Sequence, residues 1–478
     1  MNNIVIVGGG TSGWSAAAFL SKNSKLNVTI IEPSDIPTIG VGESTIPYIN
    51  VIHNMMELDV FKTPEWIHRV DGTLKFSIEF ANYNRIGETW IHPFTVSNSK
   101  DEEMTGLTCH SQLPLDIYKS HSDFINDNYI LPNMRSTRYT DPDEQKENDD
   151  IRYVGYHINA AKYAQLLKEE SLKRNNLKLI DAHVVDIAVK DENVTSIVLN
   201  NGDILSADLF VDCTGFRALL ANAVGAEWDT SYSERLFVDT ALAVQLPYRD
   251  KSTQMRNTTY CHALQNGWVW NVPLQTRIGT GYVYSSRHTS DDDARMEFKE
   301  HLNKMYGYNK EELKFRKLDF GVGIRPESWK NNVVAVGLSS FFLEPIESTA
   351  ISTMHYQIST LYDMITTDYI LPKDKIKRFN SVNKMAVDAI ASYIELHYIM
   401  SKRTDSQFWK DVSSIELTKV QKETIELFLD PGRSFNRTTV DAVTGGHNIF
   451  DQSSFLFLYL GYDLLPNNVY SMDDHETL

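Results

Sequence analysis

Cysteine is scarce in this 478-residue chain: its three cysteines, Cys109, Cys213 and Cys261, lie far apart. Their spacing fits neither a disulfide framework nor a metal site, so we expect no bound metal and a reducing, cytoplasmic setting. Positive charge is also in deficit, because the formal net charge is −17. This excess of acidic residues argues against a nucleic-acid partner and against an anionic membrane surface.

Long apolar runs are missing as well. No stretch approaches the ~20 residues of a membrane span, and the first residues enter a strand-like run, so we expect neither a membrane segment nor a signal peptide. What remains is a globular composition, with 42% apolar and 23% charged residues. The length exceeds the usual size of one core, which predicts two or three packed domains or one elaborated domain.

The start of the chain has the pattern of a dinucleotide-binding fold. A short apolar run, residues 3–7, leads into Gly8, Gly10 and Gly13 in a G-x-G-x-x-G arrangement, and a helix-like stretch follows. We expect Gly8 to allow a tight turn, Gly10 to let a pyrophosphate approach the backbone and Gly13 to permit close packing of the helix on the strand. The next strand ends at Glu32, whose carboxylate would bind a ribose 2′-hydroxyl and repel a 2′-phosphate, which favours FAD or NAD over NADP.

Two further stretches have the character of site-forming loops. Residues 39–47, IGVGESTIP, are better suited to a loop against a phosphate or a ring than to a strand. Residues 336–352, VGLSSFFLEPIESTAIS, are typical of a strand end, a loop and a helix start, and the loop carries Glu344 and Glu347. Because the backbone N–H groups of a helix start form a ready anion site, this second stretch predicts a reaction chamber.

Lys75 and a pair of tryptophans are the other notable side chains. Lys75 lies in an alternating strand, residues 74–83, on the polar face with Ser77, and on this pattern alone it is expected to be solvated. Trp268 and Trp270 are two residues apart in a later strand, so both indoles should lie on one face. That arrangement fits an aromatic core as well as a functional wall.

Several segments, in order along most of the chain, resemble the flavin-dependent tryptophan halogenase family. They are GGGTSGW at residues 8–14, IGVGESTIP at 39–47, GTLKFSIEF at 72–80, DLFVDCTGFRALL at 208–220, GWVWNVPL at 267–274, EPIEST at 344–349 and HYIMSKRTDSQFW at 397–409. The W-x-W-x-(I/V)-P form and the lysine-bearing segment are specific to that family, whereas the glycine loop is common to flavoproteins. The resemblance identifies the chain as a short, divergent member.

The resemblance implies a fold and a division into domains. The fold is α/β, with an FAD-binding Rossmann-like domain of the glutathione-reductase or hydroxybenzoate-hydroxylase type, an inserted antiparallel-sheet substrate region and a helical C-terminal part. The FAD-binding domain is expected from residues 1–50, 151–220 and 330–370, the substrate region from 51–150 and 221–329, and the cover over the substrate site from 371–478. Residues 156–170 are predicted as a helix with Asn159 as its N-cap.

The implied activity is halogenation of an aromatic or heteroaromatic small molecule. FAD, used as FADH₂, and O₂ supply the oxidising power that turns a halide (chloride, bromide or iodide) into hypohalous acid. Lys75 matches the family lysine that receives this oxidant, either as a haloamine or through a hydrogen bond. Glu347 matches the essential glutamate, which orients the oxidant and acts as a general base.

The remaining site residues follow from the same resemblance. The amides of Thr349 and Ala350 match the halide site, Ser348 lies between the flavin and substrate compartments, and Trp268 with Trp270 guard the flavin side. The expected cofactor contacts are Gly8, Gly10, Thr11, Ser12, Gly13, Trp14, Glu32, Val41, Gly42, Glu43, Val185, Gly337, Leu338 and Ile351. No second dinucleotide motif is present for NADH, so a separate flavin reductase would supply FADH₂. Assembly into a homo-oligomer is compatible with these assignments.

Two positions depart from the family pattern. Ala350 stands where tryptophan-halogenating members often have glycine, and Phe455 stands where the tail usually has tryptophan. Free tryptophan is therefore not assigned as the substrate, and a different aromatic pocket is expected, formed by His92, Phe94, Phe450, Phe455 and Phe457. Glu344 is expected to be structural, because the family varies between glutamate and aspartate there.

Two rival functions stay open on the sequence. A single-component flavin monooxygenase would oxidise NAD(P)H unaided and would be indifferent to Lys75→Ala. A non-enzymatic flavin-binding protein would hold FAD without halide-dependent turnover. The combination of Lys75, Glu347 and the W-x-W segment favours the halogenase over both.

Overall fold

The computed structural model describes residues 2–36, 43–94, 154–367, 371–430, 432–446 and 449–465. Its parallel sheet collects strands from widely separated parts of the chain. In spatial order they are Trp329–Lys330, Val333–Ala335, Leu209–Asp212, Asn3–Val7, Asn27–Ile31 and Leu177–Ile180. Neighbours run parallel except for the first pair. This is the sheet that a dinucleotide-binding fold requires.

Helices form an apolar core against one face of the parallel sheet. They are Thr11–Leu20, Ala160–Ser171 and Ala350–Thr366. As predicted, Asn159 caps the second of them, and its side-chain oxygen accepts hydrogen bonds from the backbone N–H groups of Ala161 and Lys162. A small antiparallel sheet of Val184–Lys190, Asn193–Leu199 and Ile204–Leu205 packs near the opposite face.

A second, large sheet carries the substrate side of the molecule. Its strands, in spatial order, are Arg316–Asp319, Thr240–Leu246, Ile278–Tyr284, Gly267–Pro273, Thr258–Ala263, Ser77–Ala81 and Thr89–Pro93. The predicted antiparallel pairing holds except between Thr258–Ala263 and Ser77–Ala81, which run parallel. Trp268 and Trp270 face one core, while the helix Asp291–Tyr306 packs on the opposite face.

The structure corrects two local predictions. The strand predicted over residues 74–83 is broken at Phe76, whose N–H leaves the ladder and donates to the carbonyl of Asn257. The chain thereby passes from a three-stranded sheet (Glu43–Ser44, Gly155–Ile158 and Thr73–Lys75) into the large sheet. Residues 156–158 belong to the second of those strands and not to a helix, because pairing with distant strands overrides their helical pattern.

Helices dominate the chain after residue 371. They are the long helix Pro372–Ile399, then Gln407–Ser413, Lys419–Leu429 and Arg437–Thr444, and finally the tail helix Gln452–Gly461. The tail helix packs on the strand Thr89–Pro93 and adds Phe455 and Leu458 to the core of the large sheet. Shorter helices elsewhere are Tyr48–Met56, Glu65–Arg69, Leu219–Ala223 and Lys251–Gln254. Among the described residues, no helix has the length and apolar character needed to cross a membrane.

Candidate active site

The glycine loop has the geometry that its sequence predicts. Gly8 has a φ of +107°, and a Cβ there would lie 2.3 Å from the carbonyl oxygen of Cys213. A Cβ on Gly13 would lie 1.8 Å from the carbonyl oxygen of Gly8, so the helix and the turn touch. Gly10 differs from both, because no heavy atom lies within 4 Å of its Cβ position. Its backbone is therefore open to a ligand, as the approach of a pyrophosphate requires.

A glycine that follows the strand Val333–Ala335 forms the other side of this open space, and the two sides together form a cradle for a cofactor. Gly337 has a φ of +63°, and a Cβ there would lie 2.4 Å from the hydroxyl oxygen of Ser12. Leu338, which follows it, is 37% exposed, and Val185 on the small antiparallel sheet is 60% exposed. Ile351 is half-buried at the start of its helix. These apolar side chains are accessible, which is what contact with a cofactor needs.

Glu32 keeps its predicted place beside the glycine loop, but two side chains hold it. Its carboxylate accepts hydrogen bonds from Trp14 Nε1 at 3.1 Å and from Lys168 Nζ at 2.6 Å. Because each carboxylate oxygen has two acceptor sites, room remains for a ribose hydroxyl. The side chain of Trp14 is fully buried and positions Glu32, so a contact of Trp14 with the cofactor, which stays a prediction, would have to use its backbone.

The second predicted cofactor loop is described from Glu43 onward. Val41 and Gly42 lie outside the described residues. Glu43 Oε2 accepts a hydrogen bond of 3.0 Å from the backbone N–H of Ala160. A carboxylate at this point stabilises the start of the helix Ala160–Ser171, so Glu43 ties its loop to the FAD-binding core. With the open Gly10 and the Ser12–Gly337 contact, the residues present fit FAD.

Lys75 is buried, contrary to the expectation from its strand pattern alone. Its Nζ donates a hydrogen bond of 2.9 Å to Ser348 Oγ and lies 4.8 Å from the ring centroid of Phe94. Burial lowers the pKa of the Lys75 amine to about 7, although the charge of Glu347 opposes this shift. A large fraction of the amine is therefore neutral near pH 7. Neighbouring Cys261 is also buried, and burial raises the pKa of its thiol.

Glu347 lies between two histidines from different elements. Its Oε2 is 2.8 Å from His92 Nδ1 on the strand Thr89–Pro93, and its Oε1 is 2.9 Å from His397 Nε2 on the long helix. Burial alone would raise the pKa of Glu347. The charges of His92 and His397 and the hydrogen bonds from both rings outweigh burial and lower that pKa to about 2. Glu347 is thus a buried but ionised carboxylate.

The backbone under this pair is strained. Glu347 has a φ of +62° and Ser348 a φ of +59°, and neither residue is glycine. The left-handed region costs about 1–2 kcal/mol for such residues. This backbone aims Glu347 at the histidines and Ser348 at Lys75, immediately before the helix that begins at Ala350 with Thr349 as its N-cap.

Glu344 takes the structural position expected for it. Its Oε1 accepts a hydrogen bond of 2.7 Å from the Tyr398 hydroxyl. Burial raises the pKa of Glu344 to about 8, so it is mostly protonated near neutral pH. Trp268 and Trp270 lie on one face, as predicted, with their ring centroids 6.4 Å apart at 65°.

Aromatic rings from the tail surround the histidine side of the site. Phe450 stacks on Tyr393 at 3.7 Å and lies 6.4 Å from the ring of His92. Phe455 meets Tyr393 edge-on at 5.0 Å. The structure thus brings His92, Phe94 and Phe450 into one neighbourhood with Lys75 and Glu347, and Phe455 lies behind Tyr393. Phe457 is also buried in the tail helix.

Sequence reasoning missed three residues of this neighbourhood: Tyr393, His397 and Ser454. Tyr393 and His397 lie about one turn apart on the long helix, and the family segment that begins at His397 was the one available signal. Ser454 Oγ lies 3.1 Å from His92 Nε2. Nothing in its local sequence separates Ser454 from an ordinary residue of a helix start.

The family model for tryptophan halogenases matches residues 3–477. The chain belongs to the tryptophan halogenase family. The tryptophan 7-halogenase RebH of Lentzea aerocolonigenes is 29% identical to it, over 98% of this chain and 90% of RebH. The tryptophan 6-halogenase SttH of Streptomyces toxytricini is 31% identical, over 89% of this chain and 83% of SttH.

The solved structures agree with this family assignment. Xcc4156, a flavin-dependent halogenase from Xanthomonas campestris, matches with a TM-score of 0.80 and 29% identity, over 99% of this chain and 91% of that structure. The predicted FAD-binding Rossmann-like fold is confirmed. The protein is a flavin-dependent halogenase of aromatic substrates that uses FADH₂, O₂ and a halide and depends on a separate flavin reductase. These comparisons support neither a single-component flavin monooxygenase nor a non-enzymatic flavin-binding protein.

Proposed function

We propose that this halogenase transfers halogen through Lys75 with Glu347 as general base. The contact that carries the proposal is the hydrogen bond of 2.9 Å between Lys75 Nζ and Ser348 Oγ, one residue after Glu347. It holds the amine beside the carboxylate in a buried site, and the lowered pKa of Lys75 leaves a large neutral fraction near pH 7. A neutral amine can accept halogen as a haloamine, whereas the ammonium form can hold hypohalous acid by a hydrogen bond.

The cofactor belongs, in this proposal, in the cradle between the two glycine positions. Gly8, Gly10, Gly13 and Gly337 shape it, Glu32 receives the ribose, and Leu338, Val185 and Ile351 are its apolar walls. FADH₂ with O₂ supplies the oxidant that converts halide to hypohalous acid. We assign the halide to the backbone N–H groups of Thr349 and Ala350, since the first N–H groups of a helix lack intrahelical partners and favour anions.

Glu347 acts on the substrate proton in this scheme. Halogen addition to an aromatic carbon leaves a proton on that carbon, and restoring aromaticity requires a base within reach. A carboxylate with a pKa of about 2 is ionised throughout the working range of pH. Held by two histidines, it is ready to accept the proton without first losing one.

We propose an aromatic or heteroaromatic small molecule as the substrate, bound between His92, Phe94 and Phe450. RebH and SttH, by name, act on tryptophan, which supports an electron-rich ring of indole size. Phe455, where the family usually has tryptophan, supports a pocket of different shape. We also propose a cytoplasmic location, which the free thiols of Cys213 and Cys261 support.

A substrate panel tests the proposal. Indoles and phenols are incubated with the protein, a flavin reductase, FAD and NADH, in chloride, bromide and iodide in parallel, and products are read by mass spectrometry. We expect halogenated product from wild type and none from Lys75→Met, which keeps the volume of the side chain, while FAD binding survives. Lys62→Ala is the matched control, because Lys62 is exposed and pairs only with Asp59 among its described ion-pair partners. Product from Lys75→Met at the wild-type level would remove the assignment.

A further inference from the structure

Among the described residues, the side chain of His397 makes one hydrogen bond, and its partner is the proposed base. Its Nε2 lies 2.9 Å from Glu347 Oε1, and the ring is fully buried. Since Glu347 is ionised, the hydrogen on this bond belongs to His397, which donates it.

The other nitrogen of His397 is enclosed by aromatic rings. Phe80, Tyr393 and Trp90 have their ring centroids 4.9, 5.5 and 5.8 Å from that of His397. Among the described residues, none lies within hydrogen-bond distance of His397 Nδ1. Nε2 is therefore the ring nitrogen through which His397 binds the described part of the structure.

His92 differs from His397 in this respect. His92 Nδ1 contacts Glu347 Oε2 and its Nε2 contacts Ser454 Oγ, so both of its ring nitrogens have partners. The other titratable groups that interact with Glu347 are Lys75, Cys261, Tyr393 and Tyr462. His397 thus adds a second hydrogen bond to the carboxylate, and that bond is its one side-chain hydrogen bond among the described residues.

We propose that His397 is a positioning residue that fixes Glu347 for removal of the proton from the halogenated ring. The proposal rests on the function assigned above to Glu347. His397 is anchored independently of the substrate, because the Tyr462 hydroxyl donates to its backbone carbonyl. Without the Nε2–H donor, the Glu347 carboxylate keeps only its hydrogen bond to His92 of the two histidine contacts, and it can rotate away from the carbon that must lose its proton.

The test is a kinetic isotope effect on proton removal. His397→Phe keeps a planar ring and removes the donor, whereas His397→Gln restores an N–H donor of similar reach. The probe is ring-deuterated indole, or ring-deuterated phenol if the substrate panel selects phenols. In wild type we expect no effect of ring deuterium on kcat, because proton removal is fast. In His397→Phe we expect kcat to fall about 10- to 100-fold, the loss of one hydrogen bond to a charged group, together with a deuterium effect above one.

A rescue variant and a control variant at the adjacent residue distinguish the loss of positioning from general damage to the site. His397→Gln should recover most of kcat and remove the deuterium effect. Tyr398→Phe is the control: it deletes a buried hydrogen bond to Glu344 from the adjacent residue of the same helix, and it should leave the deuterium effect at the wild-type value. KM should change little in all three variants.

Two outcomes would overturn the inference. One is a folded His397→Phe protein, shown by circular dichroism and FAD binding, that turns over without a deuterium effect. The other is His397→Gln as slow as His397→Phe with no deuterium effect in either. Glu347→Gln is assayed alongside: if it halogenates like wild type, the proposed function itself fails, whereas an inactive Glu347→Gln with no isotope effect in the His397 variants removes only the role of His397.

Discussion

Burial of the Lys75 amine links its chemistry to the stability of the fold. Because the folded-state pKa is about 7 and the ordinary value is 10.5, the folded chain binds fewer protons than the unfolded chain between these values. The free energy of unfolding contributed by this group therefore rises with pH across that window. Lys75→Met lacks this titration.

The prediction is a pH-dependent difference in Tm between wild type and Lys75→Met. From about pH 7 to about pH 10 the Tm of wild type should rise relative to the Tm of the variant. Below pH 7 the difference between the two Tm values should be constant, and wild type should compare least favourably there. Scanning calorimetry of both proteins across this range measures it, and comparing the two cancels the titration of all other groups. A difference that does not change with pH would mean that Lys75 is not buried as described.

Single residues show how far sequence could predict this site. The strand pattern alone predicted that Lys75 is solvated, and only the family motif indicated a functional role. The pattern failed because the burial of Lys75 depends on Phe94 and Ser348, which are distant in sequence. Glu347 was named from a family motif, and His92 was named as part of the expected aromatic pocket. His397 begins a family segment but was given no role, since its role depends on Glu347 fifty positions away and on rings from three separate segments.

The glycine loop as an element allows a test that separates folding from binding. Gly13→Ala should lower Tm, because the new Cβ would clash with the backbone of Gly8. Gly10→Ala should leave Tm of the FAD-free protein nearly unchanged, since its Cβ position is open and its φ is −75°, yet should weaken FAD binding about 10-fold or more by blocking the approach of the pyrophosphate. Thermal unfolding without FAD and FAD titration by fluorescence give both values. Equal FAD affinity in Gly10→Ala and wild type would place the cofactor elsewhere.

Elements with strong local signals were predictable and the others were not. The first strand, the glycine turn, the first helix and the Asn159 cap follow from residues that are adjacent in sequence. The break at Phe76 and the strand Gly155–Ile158 depend on hydrogen bonds to distant segments, Asn257 and Thr73–Lys75. Because the periodicity of a segment carries no information about distant partners, the predictions for these two segments were wrong.

The whole molecule converges on Glu347, which lies where the FAD-binding core, the large sheet and the C-terminal helices meet. The division into three domains stays a prediction, although the strands of the parallel sheet, apart from Trp329 at one edge, come from the ranges assigned to the FAD-binding domain. Those ranges could be assigned because the family motifs mark their ends. The tail rings Phe450, Phe455 and Phe457 were named as well, but the packing of the first two on Tyr393 could not be predicted, since a one-dimensional pattern gives no packing direction.

The end of the tail is fastened to the large sheet by charge. Asp463 Oδ2 accepts hydrogen bonds from Asn84, Arg85 and Lys402, and its side chain is half-exposed. Asp463→Asn should lower Tm slightly in low salt and not at all in high salt, because salt screens exposed ion pairs. Asp59→Asn, which breaks an exposed ion pair within one helical turn, is the control and should leave Tm unchanged in low salt and in high salt. If Asp463→Asn lowers Tm by the same amount in low and in high salt, packing and not charge holds this segment in place.

The buried thiol of Cys261 bears on how long each enzyme molecule survives its own chemistry. The charges of Lys75 and Glu347 act on this thiol, so it borders the compartment where a strong oxidant is delivered. Thiolates are oxidised far more readily than thiols, and burial raises the pKa of Cys261 so that the thiol stays protonated. Burial thus keeps the sulfur of Cys261 in the form that oxidants attack slowly, even though charged residues of the site act on it.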